Sequence, residues 1–234
     1  MSGRLTRQGH TGTGPGAITP DGCAVELYAR LSAGAEPEVI GSVVPPGASV
    51  LELGCGAGRV THPLVALGYE VTAVDESPQM LERVRGARTV LSAIESLDLG
   101  QERFDAVVLG SFLVHSSEHR VREGLLRTCR RYVKDGGSVL VQREGADYRT
   151  GLPREREDAA AGCVIRILSA EPVGDSVDEV RAEYVFEDAH WTQTFRSRQL
   201  SEERFEECLG EAGLVVDRCL TPDGVWVLAR PDER

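Results

Sequence analysis

Between residues 49 and 142, short apolar runs alternate with amphipathic segments, and this alternation leaves few possible folds. The amphipathic segments predict helices over 60–67, 77–85 and 120–132. The apolar runs predict strands over 49–53, 70–74, 89–91, 104–109 and 138–142. Parallel strands need long crossover connections, which are commonly helices, and strands covered on both faces are apolar along their length. The alternation therefore predicts an α/β fold with a mainly parallel sheet between helices.

The alternation stops after residue 145. The segments 163–168, 180–186 and 191–196 have strand character with no helix between them, and Trp191 to Phe195 alternates apolar with polar side chains. These features predict an antiparallel insertion that caps the core. A helix over 201–212 and a hairpin over 214–229 then complete a seven-stranded sheet whose last strand is antiparallel.

The same patterns divide the chain into four parts. We expect a flexible, Gly/Thr-rich tail over 1–20 and a ligand-binding core over 21–145. The cap is expected over 146–200, and residues 201–234 return to the core.

Charge and cysteine content exclude several classes of function. The 234 residues carry a formal net charge of −11, which disfavours binding to nucleic acid or to an anionic membrane surface. No apolar run approaches the about 20 residues that span a bilayer, and residues 1–20 lack the apolar core of a signal peptide. The six cysteines show neither a CxxC pair nor zinc-like spacing. We therefore expect a cytoplasmic protein with reduced thiols, no metal site and a small-molecule partner.

The most specific motif lies where the first strand ends, in Glu52-Leu53-Gly54-Cys55-Gly56-Ala57-Gly58. Alternate glycines permit a tight turn and let a ligand approach the backbone. The unpaired N–H groups at the start of the following helix point towards that ligand. Asp75 ends the second strand, about 20 residues later, where a carboxylate can accept hydrogen bonds from both ribose hydroxyls. Together these features predict a site for a nucleoside-containing cofactor.

Two details of this loop distinguish between cofactors. Its spacing is GxGxG, not the GxGxxG that seats a dinucleotide pyrophosphate, and Glu52 suits an ammonium group better than a pyrophosphate. Here the sequence resembles the class I S-adenosylmethionine-dependent methyltransferases, which have a Rossmann-like fold. The resemblance extends over about residues 49–141 and includes the segments 75–81 and 104–108. Lys134-Asp135-Gly136-Gly137 is similar to the family's Lys-Pro-Gly-Gly turn, with Asp135 in place of proline.

The resemblance implies S-adenosylmethionine as cofactor and S-adenosylhomocysteine as product. It implies that Asp75 holds the ribose and that Glu52 lies near the amino group of the methionine part. The other residues that the resemblance places around the cofactor are Gly54, Cys55, Gly56, Gly58, Glu76, Ile94 and Leu109. Ala93 occupies a position where the family often has an acid that binds adenine, so the backbone N–H of Ile94 is the expected substitute.

Candidate residues for the chemistry follow the later strands. His115 lies beyond the fourth strand, at the sheet edge where ligands bind in such folds, and is the candidate general base. The candidates for substrate contact are Arg143 and Glu144 after the fifth strand, with His190 and Trp191 in the insertion. Tyr28 in a short N-terminal helix is a candidate to cover the cofactor.

The expected reaction is transfer of a methyl group to N, O or C of a small molecule such as a secondary metabolite. Because a sulfonium methyl group is already activated, alignment and exclusion of water are the main tasks of the protein. The alternatives are an NAD(P)-dependent oxidoreductase, which the loop spacing disfavours, and a cofactor-binding protein without turnover. Nucleic-acid methylation is a third, which the net charge disfavours.

Overall fold

The computed structural model describes residues 9–232, which form two sheets and six α-helices. The helices are α1 (Val25–Tyr28), α2 (Glu36–Gly41), α3 (Thr61–Ala66), α4 (Pro78–Leu81), α5 (His119–Tyr132) and α6 (Glu202–Glu211). The strands are β1 (Thr11–Thr13), β2 (Ser49–Leu53), β3 (Glu70–Asp75), β4 (Arg88–Leu91), β5 (Phe104–Leu109), β6 (Val133–Gln142), β7 (Arg154–Asp158), β8 (Cys163–Gly174), β9 (Val177–Val185), β10 (His190–Arg198), β11 (Leu214–Cys219) and β12 (Trp226–Pro231). Short 3-10 turns lie at Ile94–Ser96 and Leu113–His115.

The larger sheet has seven strands in the order β11-β12-β6-β5-β2-β3-β4. The strands β6, β5, β2, β3 and β4 are parallel, and β12 pairs antiparallel with both of its neighbours. The predicted fold class, with an antiparallel last strand, is confirmed. In such a sheet the carboxyl ends of the parallel strands share one edge, so the loops after β2, β3, β5 and β6 lie together.

Each face of this sheet is covered by its own apolar cluster. Leu51 and Leu53 of β2 pack with Leu125 and Leu126 of α5 on one face, whereas Val50 packs with Leu64 of α3 on the other. The central strands are therefore apolar on both faces, which explains why they appear in the sequence as continuous apolar runs.

Local sequence signals set the ends of several elements. The Ser77 hydroxyl accepts the N–H of Met80 at the start of α4, and the Ser201 hydroxyl accepts the N–H of Arg204 at the start of α6. Both serines satisfy a helix N–H that has no partner inside the helix. In the turn before β12, the Asp223 carboxylate accepts the N–H of Val225, and Gly224 has a φ of +68°.

The smaller sheet is antiparallel, in the order β1-β10-β9-β8-β7, and forms the predicted cap. Its main strands lie within Arg154 to Arg198 and pair in sequence as hairpins. One part of the sequence interpretation is wrong. Residues 9–20 are not a free tail, because Thr11–Thr13 pairs with β10 and Ile18 forms a bridge with Ala24. Residues 1–8 of the expected tail lie outside the described residues.

Among the described residues, no helix is both long and apolar enough to cross a bilayer.

Candidate functional site

The glycine loop after β2 is a tight turn that faces a large cavity. The N–H groups of Gly54 and Cys55 both donate to the Val74 carbonyl, each at 2.9 Å, which ties the loop to β3. Gly56 has a φ of +55°, a conformation that favours glycine. A Cβ built at Gly56 would meet no heavy atom within 4 Å, so this position leaves open space at the cavity wall.

Asp75 closes the other side of this loop. One carboxylate oxygen accepts the Gly56 N–H at 2.8 Å and the other accepts the Ser77 N–H at 2.8 Å. Each oxygen keeps a further lone pair, so the carboxylate can accept two more hydrogen bonds from a ligand. Burial raises the pKa of Asp75 to about 6, while the two backbone donors act against this shift.

Glu52 lies beneath the loop as a buried acid. Its carboxylate accepts a hydrogen bond of 2.6 Å from the Thr61 hydroxyl at the start of α3. Burial raises the pKa of Glu52 to about 7, and the nearby Arg59 partly offsets this. A buried acid with a raised pKa at a cavity wall is suited to receive a cationic group, because a cation restores the ionised form.

The cavity has a volume of about 760 Å³ and lies between the carboxyl edge of the larger sheet and the cap. This volume falls within the range of small-molecule sites. Gly54, Gly56 and Asp75 line the part nearest β2, and the inner face of the cap lines the opposite part with Ile165, Ile167, Tyr184, Gln193 and Phe195. The cavity therefore has one wall formed by the core and an opposite wall formed by the cap.

The N-terminal segment covers part of this cavity. Asp21, Cys23 and Tyr28 line it, and the Tyr28 hydroxyl donates to the Gln193 side chain at 3.1 Å. Asp21 is close enough to Asp75 that its charge contributes to the raised pKa of Asp75. Asp21 was missed by the sequence reasoning, because nothing in residues 9–20 indicates that this segment folds back onto the cap.

A buried charged cluster lies between the core and the cap. The Arg149 guanidinium donates hydrogen bonds to Glu144 at 2.6 Å and to Asp178 at 2.5 Å. The Ser197 hydroxyl also donates a hydrogen bond to Glu144. The side chains of Glu144 and Asp178 are each 5% exposed, and that of Arg149 is 15% exposed. Two carboxylates thus share one guanidinium, and Glu144 also lines the cavity. Burial raises the pKa of Glu144, while Ser197 and Arg149 oppose the shift.

An aromatic pair lies beside this cluster. The rings of Phe112 and Tyr148 are 5.3 Å apart, and both residues line the cavity. Ser111 and Phe112 have φ values of +52° and +57°, although neither is glycine. Such conformations cost about 1–3 kcal/mol each and persist where the surrounding structure holds them, which is common at functional sites.

Residues 51–141 match the family model described as a methyltransferase domain. Over these residues the core of the chain is similar to methyltransferase domains.

Relatives and solved structures agree with this assignment. An uncharacterized methyltransferase of Mycobacterium tuberculosis is 35% identical over 140 residues, which cover 57% of this chain and 56% of the relative. The chain therefore matches little more than half the length of that relative. The sugar N-methyltransferase KedS8 from Streptoalloteichus shares the fold with a TM-score of 0.69 and 21% identity, over 94% of this chain and 98% of that one. The glycopeptide N-methyltransferase MtfA in complex with S-adenosylmethionine has a TM-score of 0.59 and 22% identity, over 85% of this chain and 93% of that one.

The structure gathers most of the expected cofactor residues at the cavity. The expected residues that line it are Glu52, Gly54, Cys55, Gly56, Asp75, Glu76, Ile94 and Tyr28. Gly58 does not line the cavity; a Cβ there would come within 2.7 Å of His62. Leu109 is fully buried in the core behind the cavity wall. Burial raises the pKa of the Cys55 thiol, which does not favour a nucleophilic role.

The expected substrate residues divide into two groups. His115 and Glu144 reach the cavity wall, but Arg143, His190 and Trp191 do not. Arg143 donates to the Gly224 carbonyl at 2.8 Å. Trp191 is 1% exposed and packs against Phe186, with its ring N–H donating to the Pro15 carbonyl, so it is part of the apolar core of the cap. His190 is exposed and lies 3.8 Å from Glu183, which does not line the cavity.

The sequence reasoning missed Arg149, Asp178 and Ser197. Asp178 and Ser197 are on neighbouring strands of the cap and are paired in register, whereas Arg149 lies in the loop before β7. Only the folded cap brings these residues to Glu144, so no spacing in the sequence could indicate the cluster. Among the described residues, no group of His, Cys, Asp and Glu is arranged to hold a metal ion.

Proposed function

We propose that this protein transfers a methyl group from S-adenosylmethionine to an amine nitrogen of a small molecule. The observation that carries the proposal is a single cavity with two chemically different walls. One wall is the glycine loop with Asp75, and the other includes Glu144, which belongs to a buried cluster of two carboxylates and one guanidinium. The methyltransferase domain over residues 51–141 supports the choice of cofactor.

The residues of the first wall fit the cofactor. Asp75 has free lone pairs for two ribose hydroxyls, and Gly56 leaves open space where a side chain would obstruct the ligand. Glu52 would bind the ammonium group of the methionine part, and the N–H of Ile94 would face the adenine. When bound, S-adenosylmethionine supplies a sulfonium methyl group, whose C–S bond breaks as a bond to the acceptor nitrogen forms.

The charge of the buried cluster, of which Glu144 and Ser197 line the cavity, favours an amine over a hydroxyl. Glu144 and Asp178 carry two negative charges against the one positive charge of Arg149. An uncompensated charge in a buried site is unfavourable, so the cluster stabilises a cation or a proton beside Glu144. A protonated amine is itself a cation, and it also carries a proton that Glu144 can accept. Glu144 would bind the ammonium group and accept its proton, which frees the lone pair of the nitrogen for attack.

The remaining residues of the site align the acceptor and exclude water. Phe112 and Tyr148 present an aromatic surface beside Glu144, and the inner face of the cap adds Ile165 and Ile167. These groups suit an acceptor with an apolar face. KedS8 and MtfA, which share the fold, are N-methyltransferases of a sugar and of a glycopeptide, so an amine acceptor agrees with the names of both.

We also propose that the protein acts in the cytoplasm on free small molecules. All six cysteines are free thiols, a state that a reducing compartment maintains. The formal net charge of −11 disfavours nucleic acid as an acceptor.

The test measures S-adenosylhomocysteine formation with a panel of amino sugars and other amines, each paired with its hydroxyl counterpart. We expect turnover with amines and not with their hydroxyl counterparts. Glu144→Gln should lower kcat/KM for the best amine about 100-fold, since a charged hydrogen bond and the proton acceptor are both lost.

Glu179→Gln is the matched control, because Glu179 belongs to the same cap sheet and does not line the cavity. It should leave kcat/KM unchanged. Turnover of hydroxyl acceptors alone would refute the amine assignment. Cofactor binding without turnover of any acceptor would instead indicate a binding protein.

A further inference from the structure

His115 makes a hydrogen bond with each nitrogen of its ring, and the two bonds fix its tautomer. The backbone N–H of Glu144 donates to Nε2 at 2.9 Å. Nδ1 lies 2.8 Å from the backbone carbonyl of Arg198. An N–H can only donate and a carbonyl can only accept. Nε2 is therefore the unprotonated nitrogen, and the proton is on Nδ1.

These two bonds join three separate elements. His115 ends the 3-10 turn after β5, Glu144 follows β6, and Arg198 ends β10 of the cap. The next residue, Ser116, forms an antiparallel bridge with Ser197, whose hydroxyl donates to Glu144. The ring is 3% exposed, so it fills the junction between the core and the cap.

We propose that His115 is a positioning residue, which fixes the main chain of Glu144 and thereby holds the Glu144 carboxylate against the cavity. This rests on the proposed function, in which Glu144 receives the acceptor amine. The role differs from the general base expected from the sequence. A base needs a free nitrogen lone pair directed at the acceptor, and the Nε2 lone pair is already used by the Glu144 N–H.

The charged groups around the ring agree with a neutral imidazole. Burial and the nearby cations Arg149, Arg143 and Arg122 together lower the pKa of His115 to about 4, while the hydrogen bond to the Arg198 carbonyl opposes the shift. Arg122 donates to the Ser116 carbonyl at 2.9 Å. The carboxylate of Glu144 is the nearest acid, but its distance of 3.8 Å from Nδ1 is too long for a hydrogen bond.

Two amide variants separate positioning from base catalysis. The side-chain amide of glutamine reaches the place of Nε2 and can still accept the Glu144 N–H, whereas that of asparagine reaches only the place of Nδ1. We expect His115→Gln to keep kcat/KM for the amine within about threefold of the wild-type value. His115→Asn should raise KM for the amine about tenfold, because the buried hydrogen bond from the Glu144 backbone N–H is lost.

Other measurements in the same variants distinguish positioning from a purely structural role. The affinity for S-adenosylhomocysteine should not change in either variant, and the pH profile of kcat/KM should keep the same limbs. If His115 is the base, both variants lose activity alike and one limb of the profile disappears. Equal losses of thermal stability with equal kinetics in the two variants would also overturn the proposal.

The tautomer is tested without any acceptor. In ¹⁵N-labelled wild-type protein, the His115 ring should be protonated at Nδ1 and should not titrate between pH 5.5 and 8. A ring protonated at Nε2, or one that titrates within this range, overturns the proposal. If the tautomer is as expected but no acceptor is methylated, the proposed function fails while the link from His115 to Glu144 is supported.

Discussion

Among single residues, the most distinctive are two acids whose pKa values are raised by burial, to about 7 for Glu52 and about 6 for Asp75. Glu52 has one side-chain partner, the Thr61 hydroxyl, and its pKa is about 7. The ordinary pKa of Glu is about 4.3, so the folded state holds this proton at pH values where the unfolded chain has released it. Stability therefore falls as the pH rises from about 4.5 to 7. This cost is offset when a cationic ligand pairs with the carboxylate.

Glu52→Gln removes this titration and should make the protein less sensitive to pH. Relative to wild type, the free energy of unfolding of the variant should rise by up to about 3 kcal/mol between pH 4.5 and pH 8. Urea unfolding of both proteins at the two pH values measures the difference. Glu70→Gln, at an exposed position on the neighbouring strand, is the control. A difference between the two proteins that does not vary with pH would contradict the account.

Among the helices and strands, local sequence signals predict the elements of the core, but they do not predict how the N-terminal segment, residues 9–24, folds. The glycine loop and Asp75 follow strands that are apolar along their length, and this pattern predicts that both face a ligand. The helix starts at Ser77 and Ser201 were also visible, because an N-cap acts within three residues. Thr11–Thr13 has no such signal, since its partner β10 lies about 180 residues away along the chain.

The docking of β1 can be tested at Gly12. A Cβ at this position would lie 2.1 Å from the Gly22 carbonyl oxygen, and neither backbone can move freely. We expect Gly12→Ala to release the N-terminal segment and to weaken S-adenosylhomocysteine binding about tenfold, because Asp21 and Tyr28 line the cavity. Hydrogen exchange over residues 9–24 should increase in the variant.

Gly174→Ala is the control for this experiment, since a Cβ at Gly174 meets no atom within 4 Å. It should change neither hydrogen exchange over residues 9–24 nor binding. Unchanged exchange in Gly12→Ala would show that the segment does not need its contact with Gly22.

At the scale of the whole molecule, the cavity is formed jointly by the core and the cap. The core supplies the glycine loop and Asp75, whereas the cap supplies Asp178 and Ser197 to the cluster around Glu144. The position of the glycine loop and Asp75 at one sheet edge could be predicted from the sequence because these residues follow consecutive strands. The cluster around Glu144 could not be predicted, because Glu144 meets Ser197 from 53 residues away only after the cap has folded.

Calorimetric titration with S-adenosylhomocysteine, and with NADH in parallel, tests whether this cavity binds S-adenosylmethionine. We expect micromolar binding of S-adenosylhomocysteine, about −8 kcal/mol, and no binding of NADH. Asp75→Asn should weaken S-adenosylhomocysteine binding about 10- to 100-fold, because hydrogen bonds to the charged carboxylate are lost. Binding of NADH instead, or equal affinity in Asp75→Asn and wild type, would contradict the assignment of this cavity to S-adenosylmethionine.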